Sequence, residues 1–256
     1  MAATSNNPQT NRTELRADAQ CRFKMCQWCY QVVDYFKFNR ETVQIGMSYF
    51  DRFLATPQGR PYLQDRSIFQ LACITCLYVA IKVHEPIELD MSLLCELSRG
   101  SYTVSQIIRT EMIILEALQW RLNPPTTTAF VQHIFALLAS SFSHDLKPLM
   151  DIALYQAEVS VFDHNIILDN KASAIAIAAV LNSLESDEVS ALSIVKNMRS
   201  ITGMTSDLIG IQDCRKKLMS CVNGEPTCSS SPLVKRRSIS KIVEMEERVA
   251  VALNLQ

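Results

Sequence analysis

Two pairs of cysteines stand at the spacing at which thiolates share a metal: Cys26-x-x-Cys29 and Cys73-x-x-Cys76. A zinc ribbon carries such pairs on tight knuckle turns that let four sulfurs converge. Here both pairs fall inside strongly periodic apolar segments, where a buried thiol is an ordinary small core residue, so no metal site is expected. The four histidines, His84, His133, His144 and His164, show neither H-x-x-x-H nor H-E-x-x-H spacing. No G-x-S-x-G, P-loop or G-x-G-x-x-G occurs, which leaves hydrolase, NTPase and dinucleotide chemistry without residues to carry it. The expectation is a protein that is not an enzyme and needs no cofactor. Two charges are placed more oddly. Lys82 closes the most apolar segment of the chain, and Glu111 sits beside an apolar stripe, where an uncompensated charge costs several kcal/mol and calls for a partner. From spacing alone Lys82 also suits a helix C-terminus, an interaction worth about 0.3 to 1 kcal/mol.

The segments that must position these residues are helical. Met25, Trp28, Val32 and Tyr35 recur at helical steps over Arg22 to Phe36, as do Ile45, Tyr49 and Phe53 over Thr42 to Leu54. Ser67 to Lys82 is apolar nearly all round, the mark of a helix enclosed by others. A short helix follows at Asp90 to Leu97, then one at Thr103 to Gln119 with Ile107, Ile108, Met112, Leu115 and Leu118 as its expected buried stripe. Pro124-Pro125 cannot continue a helix and marks a domain boundary. Further helices are expected at Thr127 to Ser140, Leu146 to Val161, Lys171 to Leu184, Asp187 to Ser200 and Ser206 to Val222, a second five-helix set centred on the alanine-rich ASAIAIAAVL. NGEPTCSSSP reads as a linker and KRRSIS as a basic cluster, with one more helix expected over Ile239 to Leu253. The expected division is 1–20 as a flexible segment, 21–123 and 124–222 as two helical domains, and 223–256 as a flexible tail.

Composition agrees. The 256 residues are 48% hydrophobic with only 6 Gly, too few for glycine-rich nucleotide loops or turn-dense β-sandwiches. A formal net charge of -1 supplies no global field to draw the chain onto nucleic acid or an anionic membrane. Nine cysteines, an odd number, and an N-terminus without an apolar leader point to a reducing, intracellular setting. Apolar stretches shorter than a bilayer span argue against a membrane partner.

Several segments together carry a family resemblance: Arg22-Phe-Lys-Met-Cys-Gln-Trp28, Glu41-Thr42 leading to Tyr49-Phe-Asp-Arg-Phe-Leu54, Gln70-Leu71 leading to Ala80-Ile-Lys82, and Glu111 followed by Leu115 and Trp120. In order, spacing and residue type they resemble the cyclin box over about Cys21 to Phe130, and the SAIAIAAV helix is similar to the corresponding helix of a second cyclin fold. The resemblance implies an all-α protein of two tandem five-helix domains, the first the clearer. It implies a buried ion pair between Arg22 and Asp51, and a kinase-facing Lys82 and Glu111 with Val83 and Ile114 as apolar neighbours. It also places a docking groove for short peptides of substrates or inhibitors on Met25, Trp28, Gln31, Phe69 and Gln70, although Trp28 equally suits the core. Gln31 replaces an acidic residue there, and Cys21 and Lys24 stand where mitotic cyclins have apolar ones, which departs from the pattern of a peptide-recruiting groove; the short N-terminal region fits poorly with mitotic cyclins, so a G1-type or specialised cyclin is the expectation.

The function so implied is a regulatory subunit that forms a heterodimer with a cyclin-dependent protein kinase and controls cell-cycle progression, in nucleus and cytoplasm. The alternative is a transcription-type cyclin or a cyclin-fold transcription factor; the factor would bind nucleic acid through a basic groove. Ser231-Pro232 and Arg237-Ser238 are candidate phosphorylation sites or simply part of a solvated linker.

Overall fold

The computed structural model describes residues 8–139, 146–184 and 208–223, and these contain helices and no strands. The helix expected at 187–200, the tail helix at 239–253 and the tail serines lie outside the described residues. In chain order the α-helices are α1 (Pro8–Phe36), α2 (Glu41–Leu54), α3 (Arg66–His84), α4 (Met91–Leu97) and α5 (Val104–Ala117), then α6 (Thr127–Ala139), α7 (Lys147–Ser160), α8 (His164–Asp169), α9 (Ala172–Ser183) and α10 (Leu208–Asn223). A 3-10 turn, Arg60–Leu63, joins α2 to α3.

Local chemistry fixes most boundaries. Asp65 caps α3 by accepting from the Ser67 N–H at 2.7 Å, and Asp90 caps α4 in the same way through Ser92 at 3.1 Å. Thr103 and Gln106 form a reciprocal capping box at the start of α5. Two boundaries differ from expectation. The first helix starts at Pro8 rather than near Cys21, because proline is tolerated in a first turn and the residues after it are good helix formers. The six-residue α8 is too short to leave a periodic signal, yet Asp163 caps it by accepting from the Asn165 N–H at 2.8 Å.

Helix α3 is buried from Leu71 to Ile81 because α1, α2 and α5 pack around it. At 19 residues it is long and apolar enough to cross a bilayer, but its burial is that of a core helix. Gly46 permits the closest approach: a Cβ there would lie 3.2 Å from the Leu77 Cα, so α2 and α3 nearly touch backbones. The buried face of α1 is Cys26, Cys29, Tyr30 and Val33, one helical stripe of small and flat side chains. Trp28 and Tyr35, expected on that stripe, are only half-buried.

A second cluster is built from Val131, Phe135 and Leu138 of α6, Ala153 and Ala157 of α7, Ile175 to Val180 of α9, and Cys214 and Leu218 of α10. The alanines let α6, α7 and α10 close around α9. Among its buried polar groups, Asn182 donates to Gln156 at 2.9 Å and accepts from Arg215 Nε at 2.9 Å.

Side chains of α2 and α3 hold the connection between the clusters. Arg52 donates to the Arg121 carbonyl at 2.9 Å, and the Leu122 carbonyl accepts from Tyr49 and lies 3.1 Å from His84 Nε2. Gln44 then grips the first turn of α6, donating to Thr128 Oγ1 at 2.7 Å and accepting from the Thr128 N–H at 3.2 Å.

Candidate functional site

The last turn of α3 and the middle of α5 meet through one charge pair. Lys82 Nζ lies 3.1 Å from Glu111 Oε1, the lysine side chain 47% exposed and the glutamate 10%. The carboxylate is thus sunk into the α3–α5 contact and the ammonium is its solvent-facing end. The hydrogen bond to Glu111 raises the Lys82 pKa, against a smaller opposing effect of burial, so the lysine holds its proton. Its ammonium also sits 5.8 Å from the centre of the Tyr78 ring. The pair is a fixed point charge with a locked direction, and its chemistry is recognition rather than proton transfer.

Exposed apolar side chains lie near the pair in sequence, on α3 and α5 and just past the end of α3. Val83 is 48% exposed, Ile87 66%, and Ile108 and Met112 46% each. Val104, Ile108 and Met112 stand at four-residue steps on the outer face of α5. This corrects the expected stripe, because Ile108 and Met112 face outward. The inward face of α5 is Ile107, Thr110, Glu111, Ile114 and Leu115. Ile114, expected to contribute to a partner surface, is fully buried and supports α5 from beneath. One signal was available: the α5 sequence carries two apolar stripes, and one helix face suffices for the core, so the second had to serve something else. Trp120 closes the same helix with its indole 61% exposed and its backbone at φ 57, a left-handed conformation also taken by Gln119 at φ 52.

Arg22 and Asp51 form the most buried charge pair among the described residues, their side chains 4% and 9% exposed. Arg22 Nε and Nη2 donate to the two Asp51 oxygens at 2.9 and 2.7 Å, a bidentate fork. Burial alone would lower the arginine pKa; Asp51 more than offsets that, and the net direction is upward. The third guanidinium nitrogen, Nη1, donates to the Val161 carbonyl at 2.6 Å, which ties α1 to the corner between α7 and α8.

The residues expected to line a peptide groove divide. Met25 and Phe69 belong to the core, Phe69 standing edge-on to Phe50 at 4.8 Å, so neither offers its side chain to a peptide. Trp28 packs against the core while half-buried, Gln70 is half-buried and Gln31 is exposed. The paired cysteines face each other inside the α1–α3 contact, with Cys29 and Cys73 sulfurs 4.0 Å apart and Met47 sulfur 3.9 Å from Cys73. No group of three or more metal-ligating side chains is arranged to hold an ion among the described residues.

Comparison with known proteins gives a consistent set of matches. Residues 2–123 match the N-terminal domain model of cyclins. Cyclin-D3-3 of Arabidopsis thaliana is 32% identical over 131 residues, which is 50% of this chain and 35% of that protein; the chain thus spans about a third of the relative's length. Among solved structures, a viral cyclin from herpesvirus saimiri superposes with a TM-score of 0.61 at 20% identity, covering 81% of this chain and 86% of that one. A chain of the yeast RNA polymerase II CTD kinase complex CTDK-1 gives 0.60 at 15% identity, covering 92% and 77%. At these identities the structural matches speak to the fold alone.

Proposed function

The chain belongs to the cyclin family, and from that premise we propose that it is the regulatory, non-catalytic subunit of a cyclin-dependent protein kinase, docking through the face around Lys82 and Glu111. The observation that carries the reading is the setting of that pair: a carboxylate fixed in the core, an ammonium at the surface, and exposed Val83, Ile108 and Met112 close by on the same two helices. Apolar area of this kind supplies binding energy, and the fixed charge sets register.

The mechanism is a shift of population. A protein kinase is active when a helix bearing a glutamate is held so that the glutamate pairs with the ATP-orienting lysine. A rigid helical face that fits this placement better than the inactive one biases the equilibrium by the difference in affinity, and by no more than that. Rigidity is what the chain provides: α3 is buried from Leu71 to Ile81, Ile114 buttresses α5 from within, and Arg22 with Asp51 fixes α1 to α2.

Residues 21–123 serve in this reading as the cyclin box, with 124–222 as a second cyclin-like domain, supported by the separate hydrophobic cluster of α6 to α10. The proposal includes a cell-cycle role in nucleus and cytoplasm, on the resemblance to G1-type cyclins. The test is a pull-down of purified chain with a panel of cyclin-dependent kinases, read as both capture and phosphorylation of a histone and of a polymerase-tail peptide. Capture with histone phosphorylation supports the cell-cycle reading, phosphorylation of the tail peptide alone moves the role to transcription, and no capture by any kinase refutes the assignment.

A further inference from the structure

A cavity of about 260 Å³ opens where the start of α2, the end of α3 and the Asn123–Thr126 connection meet. His84, two residues beyond Lys82, also lines it, with Nε2 3.0 Å from the Tyr49 hydroxyl and 3.1 Å from the Leu122 carbonyl, and the kinase reading uses none of the lining residues. Ile45, Ala129 and the rings of Pro124 and Pro125 give it apolar walls, while Asn39 and Asn123 are exposed. Glu41 is the one carboxylate lining it, and no lysine or arginine does. One Glu41 oxygen accepts from the Thr126 hydroxyl; the other has no hydrogen-bond partner among the described residues. A second carboxylate, Glu85, stands one bond behind the wall, accepting from the Thr42 hydroxyl and, at 3.0 Å, from the Asn39 N–H. Neither glutamate forms an ion pair among the described residues.

We propose that this cavity is a binding site for a single arginine side chain presented by a peptide segment of a partner protein. Size and charge select the occupant. Pockets for drug-sized molecules run to about 300–1,000 Å³, so this one takes one side chain, and a lining with one carboxylate and neither lysine nor arginine favours a cationic group over a phosphate. An arginine stem of three methylenes lies along proline and alanine surface while its head reaches polar groups. The guanidinium fork offers five donors, matched here to the open Glu41 oxygen and the Asn123 side-chain carbonyl, while the Asn39 carbonyl already accepts from the Glu41 N–H at 3.0 Å. The walls are pre-formed by the contacts that fix the connection, Gln44 to Thr128 and Tyr49 to Leu122, so little ordering is lost on binding.

The test is NMR titration of full-length chain, with labelled isoleucine and alanine methyls, against acetyl-Leu-Arg-amide. The comparison peptide is acetyl-Leu-citrulline-amide, isosteric and neutral. A single side chain warrants millimolar affinity, so peptide is taken to about 5 mM. The Ile45 and Ala129 methyls should shift saturably with the arginine peptide and at least about tenfold more weakly with citrulline, one charge-assisted contact being worth about 1.4 kcal/mol or more. Glu41→Gln should abolish the shifts, and Ala129→Leu, which fills the cavity and leaves the charge, should do so too. Absence of saturable shifts, equal response to citrulline, or shifts confined to other methyls overturns the site. Kinase capture is measured in parallel and should be unchanged in Ala129→Leu, so failure of one assignment leaves the other standing.

Discussion

Arg22 in α1 donates to the main-chain carbonyl of Val161, 139 residues further along, at 2.6 Å, while its other two nitrogens hold Asp51. One guanidinium therefore joins three parts of the chain: the first helix, the second, and the corner after α7. Phe162 next to that carbonyl is stacked on Tyr30 with ring centres 5.4 Å apart and tilted against Phe23 at 5.2 Å, so the joint is both polar and aromatic.

Asp51→Ala should accordingly be among the most damaging single substitutions. It leaves a buried guanidinium with a carbonyl as its remaining partner, and breaking one side of such a pair costs about 3 to 5 kcal/mol. Urea denaturation followed by circular dichroism should show a clear drop in midpoint. A midpoint equal to that of the unsubstituted chain would contradict the buried-pair description.

Ile114 and Ile108 lie six positions apart on one helix and should behave oppositely. Ile114→Ala empties a fully enclosed site and should cost about 2 to 5 kcal/mol of stability. Ile108→Ala removes an exposed side chain and should change stability by no more than about 0.5 kcal/mol. In kinase binding the order reverses, with Ile108→Ala the weaker binder at temperatures where both variants are folded. Thermal melts paired with affinity measurements distinguish the faces; equal melting temperatures would mean the orientation of α5 is wrong.

The buried thiols predict a pH dependence. Burial pushes Cys26 and Cys76 well above the ordinary thiol range, and Cys29 is raised first by its contact with Cys73 and then by burial. In the unfolded chain these thiols ionise near pH 8.5. Between that pH and the folded values the native state keeps protons that the unfolded state has lost, so the slope of stability against pH is negative. Stability should fall as pH rises from 8 to 10, and less so in Cys26→Ala. Iodoacetamide at pH 8 should label Cys21 and Cys95, which are partly accessible, well before Cys26, Cys29 and Cys76. Simultaneous labelling of all five in the folded protein would refute the packing of α1 on α3.

How far the sequence carries can be judged from α3, Glu111 and Ile114. The segment Ser67 to Lys82, apolar nearly all round, marks α3 as an enclosed helix, and it is buried from Leu71 to Ile81. Glu111 stands out in sequence as a charge near an apolar stripe, and its burial beside Lys82 follows the same logic. Ile114 shows the limit. A helix with two apolar stripes does not announce which one faces inward, since that depends on where α3 lies, and the choice between Ile108 and Ile114 is made by tertiary packing. Met25 and Phe69, expected along a groove, are buried for the same reason: the matching pattern locates a helix face to within a residue or two, while exposure changes completely over one step. The cavity beside Glu41 was not legible at all, because it is formed by three elements distant in sequence.

The measurement closest to the central claim is activation of a captured kinase by the double variant Lys82→Ala/Glu111→Ala, with folding verified by its melting curve. Truncating members of an interfacial charge pair typically costs about 2 kcal/mol or more, so the concentration of chain giving half-maximal kinase activity should rise at least about thirtyfold. His133→Ala, on the exposed face of α6, should leave it unchanged. A folded double variant that activates the kinase at the same concentration as the unsubstituted chain would show that this face is not where the kinase binds.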